Sequence, residues 1–281
     1  MKRTPQKGHR RTRRHPAGPD TGVLDLGRYL TQLRETTQPK LSRRLVEDIT
    51  NFSQATIRQL EANRLKHPRL EMLDVFARLY RADSAQTQHI RDLASPPLPL
   101  AGPEPLRDCL LARPEHMQHL DDLERRGVLA GYFDPMLTVL AMNTLMRTAF
   151  VGLAEIGSLA RWWFSPAGLA VVVDHPTETE FLVAFLKGQM GRYRTAPRTL
   201  ETLAELLPHP QFHKPYTTST RIAFERSTSD PIHFRNSDTG EIATASVHIQ
   251  RVSNTTPTLL FSVFPHEHVA IPNPGRDVTP D

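Results

Sequence analysis

Residues 52–68, FSQATIRQLEANRLKHP, carry long polar side chains in a short stretch with helical spacing. Counted as a helix from Gln54, Ile57 and Leu60 share one side. Ala55, Arg58, Gln59 and Ala62 fall on the other, with Gln54 on the first turn. Glutamine pairs with adenine, arginine pairs with guanine, and alanine leaves room or meets a thymine methyl. That outer face therefore suits a DNA major groove. Ser53 is placed to cap the helix. A basic loop with Arg64 and Lys66 follows, closed by Pro68.

Neighbouring segments supply what such a helix needs to be held. SRRLVEDIT, capped by Ser42, predicts a helix with Val46 and Ile49 facing inward, and the turn TNFS joins it to the next. The spacing is that of a helix-turn-helix whose second helix reads. Leu26, Leu30 and Leu33 form one flanking stripe. Leu70, Leu73, Phe76, Ala77 and Tyr80 form another, and SAQTQHIRDLA predicts a last helix capped by Ser84. The block 24–94 is thus all helical. The run from Leu41 to Tyr80 resembles the phage-repressor (XRE) type of helix-turn-helix. That resemblance implies base contacts from Ser53, Gln54, Ala55 and Gln59, with Arg58 on the same face. It implies phosphate contacts from Arg43, Arg64 and Lys66. Glu47 and Asn51 depart from the family's Ala and Gly; Asn tolerates the left-handed backbone a Gly would use. An ordinary helical bundle is the alternative reading.

SPPLPLAGPEP, residues 95–105, holds five prolines in eleven residues and reads as a stiff linker. Beyond it the pattern is mixed. PEHMQHLDDLERRG predicts a helix, and VLAGYFDPMLTVLAMN predicts two strands around Asp134-Pro135. Further helices are expected over NTLMRTAFVGL, with Asn143 as cap, over TETEFLVAFLKGQMGRYR and over TLETLAELL. TRIAFER, PIHFRN, EIATASVHIQRV and TLLFSVF predict strands, with a hairpin turn at NSDTGE. Asp134, VLAMN (139–143), RWWF (161–164), GRY (191–193) and Phe212 with Tyr216 mark a resemblance to the MmyB-like ligand-binding domain. Met142 and Tyr216 stand where that family more often has Trp. The two resemblances span residues 24–265.

This second resemblance implies a PAS-like fold, a curved antiparallel sheet with helices over one face, that senses small apolar molecules, fatty acids among them. Trp162, Trp163, Phe164, Phe185, Phe212, Tyr216, Phe224, Phe234 and Phe261 are the candidate pocket walls, with Arg192 or Arg194 on a carboxylate head. The same aromatics could equally fill a core.

The expected fold class is therefore two domains: an all-α five-helix domain, then an α+β PAS-like domain with an antiparallel sheet. The boundaries are a basic disordered arm over 1–22, the helical domain over 23–94, the linker over 95–105, the sheet domain over 106–268 and a disordered tail over 269–281. The first fourteen residues hold seven Lys or Arg and no acid. Removing those seven from the 35 basic residues leaves 28 against 30 acidic ones, so the net charge of +5 belongs to the arm. Such an arm can neutralise phosphates or enter a minor groove, or it can be a solvated tail. No apolar run approaches a membrane span and no secretory core follows the basic start, so the expected setting is the cytoplasm and nucleoid, without a membrane partner. Cys109 is the only cysteine, which excludes an intrachain disulfide. There is no P-loop, no Gly-rich dinucleotide turn and no G-x-S-x-G elbow. The histidine pairs 116/119 and 209/213 and the HEH at 266–268 lack a cysteine cluster to complete a metal site, so neither metal nor cofactor is expected. The sequence thus points to a DNA-binding regulator, not an enzyme, partnered by double-stranded DNA, a second copy and a small apolar ligand. The competing reading keeps DNA binding but leaves the second domain only dimerisation or protein contact; an enzyme on a PAS-like scaffold is the third.

Overall fold

The computed structural model describes residues 22–23, 25–237, 239–253 and 256–266. Residues 1–21 of the expected arm, Asp238 of the expected hairpin turn and the final segment, including most of HEH, lie outside them. The helical domain consists of α1 (Leu26–Thr36), α2 (Arg43–Thr50), α3 (Gln54–Glu61), α4 (Leu70–Leu79) and α5 (Ser84–Ala94). Tyr29, Leu30, Leu33, Val46, Ile57, Leu60, Leu73, Phe76 and Ile90 form its core. Helix α1 crosses α3 so closely that a Cβ at Gly27 would sit 2.3 Å from the Glu61 carbonyl oxygen. The same Gly27 donates its N–H to Asn63 Oδ1 at 2.8 Å, so only glycine fits here.

Two details differ from the sequence reading. Ile49 is 53% exposed, because the buried face of α2 centres on Val46 and turns toward Glu47 and Thr50 instead. Helix α5 is capped by Asp83, not Ser84, and Asp83 and Gln86 form a reciprocal capping box. Asn51 does take the left-handed conformation, φ 61°, where it closes α2.

The second domain begins with α6 (Pro103–Leu111) and α7 (Pro114–Arg125). Helix α6 takes in the end of the expected linker, since prolines in a first helical turn sacrifice no internal hydrogen bond. Strands β1 (Leu129–Phe133) and β2 (Val139–Met142) follow, then the short helices α8 (Thr144–Ala149), α9 (Leu153–Ile156), α10 (Leu159–Trp163) and α11 (Pro166–Val171). The long α12 (His175–Arg192), α13 (Pro197–Leu206) and α14 (Pro210–Thr218) precede β3 (Ile232–Arg235), β4 (Ile242–Arg251) and β5 (Leu259–Pro265). The sheet is antiparallel with order β2-β1-β5-β4-β3. Tyr132 meets His116 of α7, while its neighbour Phe133 points to the other face against Phe261. With both faces covered, every residue of β1 is buried.

TRIAFER is not a strand. Ile222 inserts into the core of the helical domain, Phe224 packs beside it, and Ala223 N–H donates to the Ala184 carbonyl. An edge strand cannot form where successive side chains are claimed by two different domains. This strap joins the domains together with α12. Tyr29 Oη and Gln86 Nε2 both donate to the Thr220 carbonyl at 3.0 Å, and Gln32 Nε2 donates to Thr217 O at 2.9 Å. The His89 ring on α5 packs against α12, where a Cβ at Gly191 would lie 2.5 Å from it.

Neither ring nitrogen of His89 has a hydrogen-bond partner, and the side chain is buried. Burial pushes its pKa down to about 3, with the charges of Lys187 and Arg194 adding to the effect. An unfolded histidine titrates near ~6.5, so on acidification the unfolded chain takes up a proton that the folded one refuses. This stability is full above about pH 6.5 and falls as the pH drops toward 3, by up to about 1.4 kcal/mol per pH unit. His89→Phe is expected to shrink the loss of stability between neutral pH and about pH 5 by about 2 kcal/mol. Urea unfolding of the full chain at the two pH values measures it, and an unaltered acid sensitivity would show that His89 protonates freely in the fold.

Candidate DNA-reading face and ligand cavity

Helix α3 is held at both ends by carboxylates of different function. At its start, Ser53 caps the helix by accepting from Thr56 N–H. Glu47 of α2 accepts from Gln54 N–H at 3.2 Å and from Gln54 Nε2 at 2.7 Å. These two bonds hold the Glu47 carboxyl below its usual range. The family departure at this position is therefore a second cap for α3, at the end of the helix dipole that favours an anion.

At the other end, the Glu61 side chain is only 5% exposed and divides its oxygens between two arginines. Arg34 Nε donates to Oε1 at 2.6 Å and Arg43 Nε donates to Oε2 at 2.6 Å. Arg34 also donates to the Leu41 carbonyl, so α1, α3 and the approach to α2 converge on one guanidinium.

Ala55, Arg58 and Gln59 are exposed, as are Arg64 and Lys66 in the following loop. Arg58 Nε folds back to the Gln54 carbonyl at 3.2 Å. Arg43, which the resemblance puts on a phosphate, leans on Glu61 and remains 42% exposed at its side chain. An open concavity of about 610 Å³ lies between the starts of α2 and α3, edged by Lys40, Arg43, Arg44, Gln54 and Arg58. Lys40 and Arg44 are additional basic groups that the sequence reading did not single out; their place before and at the start of α2 was the available signal.

In the second domain a narrow cavity of about 70 Å³ lies between the sheet and α12. Of the aromatic candidates, Trp163, Phe185 and Phe261 line it. The others are claimed elsewhere. Trp162 is buried with its Nε1 on the Val151 carbonyl. Phe164 stacks on His209, and Phe212 stacks on Tyr216. Phe234 packs against Phe150, and Phe224 faces the helical domain. The walls are completed by residues that sequence reasoning missed, among them Phe133, Met146, Phe150, Phe181, Val247 and Ile249. Strand alternation in β4 could have found the last two; the others depend on how the helices fold over the sheet.

Neither candidate head-group arginine reaches the cavity. Arg194 Nη1 donates to the Asp92 and Gly191 carbonyls, which clips α12 to the end of α5. Arg192 offers its carbonyl to Leu98 N–H of the linker. The ionisable residues that do line the cavity are Glu178 and Arg226. They form a bidentate pair at 2.5 and 2.7 Å, and Arg226 lies over the Phe181 ring at 5.0 Å.

A helix-turn-helix with an exposed polar reading helix, followed by a PAS-like domain with an apolar cavity, defines a ligand-binding type of DNA-binding regulator. The family model for the MmyB-like transcription regulator ligand binding domain matches residues 112–268, and a helix-turn-helix domain model matches residues 25–90. The chain belongs to the MmyB-like transcription regulators. No curated protein matches it. Among the described residues no helix is long and apolar enough to cross a membrane, and no group of three metal-binding side chains occurs.

Removing Glu61 would leave the buried Arg34 side chain with only the half-exposed Glu35 carboxylate, at 3.3 Å, as a counter-charge. Glu61→Ala is expected to cost about 3–5 kcal/mol in urea unfolding. Arg43→Ala, which removes a half-exposed partner, is expected to stay within about 1 kcal/mol of the parent.

Proposed function

We propose that this protein is a sequence-specific transcriptional regulator of the cytoplasm, which binds DNA through α3 and changes its operator affinity when a small apolar molecule fills the cavity. The observation that carries this reading is the position of α12. Its Phe181, Leu182 and Phe185 wall the cavity, while its Gly191 turn packs on His89 of the DNA-binding domain. A ligand that favours one placement of α12 over another would bias α5, and with it the whole helical domain.

Helix α3 has eight residues and spans about 12 Å, enough for one half-site. A dimer on a palindrome with half-sites about one turn apart follows as the binding mode. Gln59, Ala55 and Arg58 are the exposed reading groups, Arg58 with its Nε folded back on the Gln54 carbonyl and its terminal nitrogens outward, and Ser53 stands at the backbone edge of the groove. Gln54 is restrained: Glu47 holds its amide nitrogen, which leaves Oε1 to accept from a base amino group, on adenine or cytosine. Arg64 and Lys66, with Arg43 at the edge of the concavity, supply phosphate contacts.

Selection from a random duplex library with the purified full chain tests the reading, and an enriched palindrome is the expected result. On that palindrome, Gln59→Ala is expected to lose about 1–3 kcal/mol at particular base pairs. Arg64→Ala should weaken all sequences alike and lower the slope of affinity against salt by about one unit. Losses of equal size on every sequence for Gln59→Ala would remove α3 from the major groove.

A further inference from the structure

Resting on the DNA-reading assignment of α3 above, we propose that Glu47, on the helix before the reader, is the positioning residue that sets the base preference of Gln54. It turns the Gln54 amide so that bases with an exocyclic amino group, adenine and cytosine, are accepted and guanine and thymine are refused. The starting point is a pair of hydrogen bonds. Glu47 Oε1 accepts from the Gln54 backbone N–H at 3.2 Å, and Glu47 Oε2 accepts from Gln54 Nε2 at 2.7 Å. A backbone N–H only donates, and an ionised carboxylate only accepts. The bonds from Gln54, with the charges of Arg44 and Arg58 adding to them, hold the Glu47 carboxyl below its usual range and so keep it ionised at neutral pH.

A glutamine amide carries one oxygen and one nitrogen at its tip, and an unheld amide can turn either toward a base. Against Glu47 that choice is gone. If the amide turned over, Gln54 Oε1 would meet Glu47 Oε2, two acceptors with no proton between them. The nitrogen therefore stays on Glu47, and the oxygen is the atom left for the groove. Adenine N6 and cytosine N4 present amino hydrogens there, whereas guanine O6 and thymine O4 are acceptors. The second Nε2 hydrogen serves adenine N7, beside the amino group that Oε1 takes; guanine, with acceptors at both O6 and N7, offers Oε1 no partner. The isosteric change Glu47→Gln reverses this logic. The Gln54 backbone N–H still needs an acceptor, so it takes the oxygen of the new side chain, and an amide nitrogen comes to stand where Oε2 stood. That nitrogen donates. Gln54 then has to turn its oxygen toward α2 and offer Nε2 to the groove, which suits guanine O6 or N7 and thymine O4.

Selection from a random duplex library, run on the full chain and on its Gln54→Ala variant, locates the base pair that residue 54 reads as the one whose preference the variant loses. Affinities of the parent and of Glu47→Gln are then measured on the four duplexes that differ at that pair. The parent is expected to favour adenine or cytosine on the strand facing α3, and Glu47→Gln to favour guanine or thymine, with the ratio between the two classes shifted at least about tenfold. The double exchange Glu47→Gln with Gln54→Glu returns an acceptor to the groove, because one carboxylate oxygen at position 54 takes the amide nitrogen at position 47 and the other faces the base. It is expected to restore the preference for cytosine or adenine, a rescue that a merely structural role for Glu47 does not predict. Should Glu47→Gln fail to fold, Glu47→Ala tests the same point. An unheld amide meets cytosine N4 or thymine O4 equally well, so the parent's preference for cytosine over thymine is expected to disappear, and its persistence would overturn the inference. An equal loss on all four duplexes for Glu47→Gln, with their ranking unchanged, would likewise overturn it while leaving α3 as the reader. If Gln54→Ala loses no base preference anywhere, Gln54 is not a reading residue, and this inference falls with that assignment.

Discussion

Helix α12 has no solvent-facing side from Leu182 to Met190. A helix so enclosed must be packed from several directions at once, and here those directions belong to different units of the chain. Phe185 and Leu182 face the cavity above the sheet. Gly188 admits the Phe224 strap, and Gly191 admits His89 from α5. Interiors at crystal-like packing density do not deform smoothly, so a displacement on one side of α12 has to appear on another. The absence of side chains at these two glycines allows the domains to approach closely enough for that constraint to operate.

The reading unit is organised by a comparable economy of charge. Glu61 holds α1, α3 and the start of α2 together through Arg34 and Arg43. Glu47 fixes the first turn of α3 and orients Gln54. The exposed face of α3 is therefore set by carboxylates at its two ends. The same pattern recurs in the second domain, where Glu178 neutralises Arg226 beside the cavity.

Much of the architecture was legible in the chain itself. Helical stripes, caps at Ser42, Ser53 and Asn143, and the alternation of β4 are local signals, fixed by neighbours within a turn or a pleat. TRIAFER misled because its alternation is real but serves two cores rather than two faces of one sheet. Ile49 misled because a helix of eight residues can rotate its buried stripe toward a polar neighbour when that neighbour, Glu47, has a bond to make.

The amino-acid sequence by itself determined the helical first domain and the order of the two domains, because periodicity and capping are properties of contiguous residues, while the antiparallel, PAS-like class of the second domain came through its resemblance to the MmyB-like family. Tertiary structure alone decided which aromatics wall the cavity, that Arg194 clips α12 to α5, and that Glu178 meets Arg226 across 48 residues of chain. Such pairings depend on where separate elements are brought by packing, and no local pattern encodes which distant partner a buried charge will find.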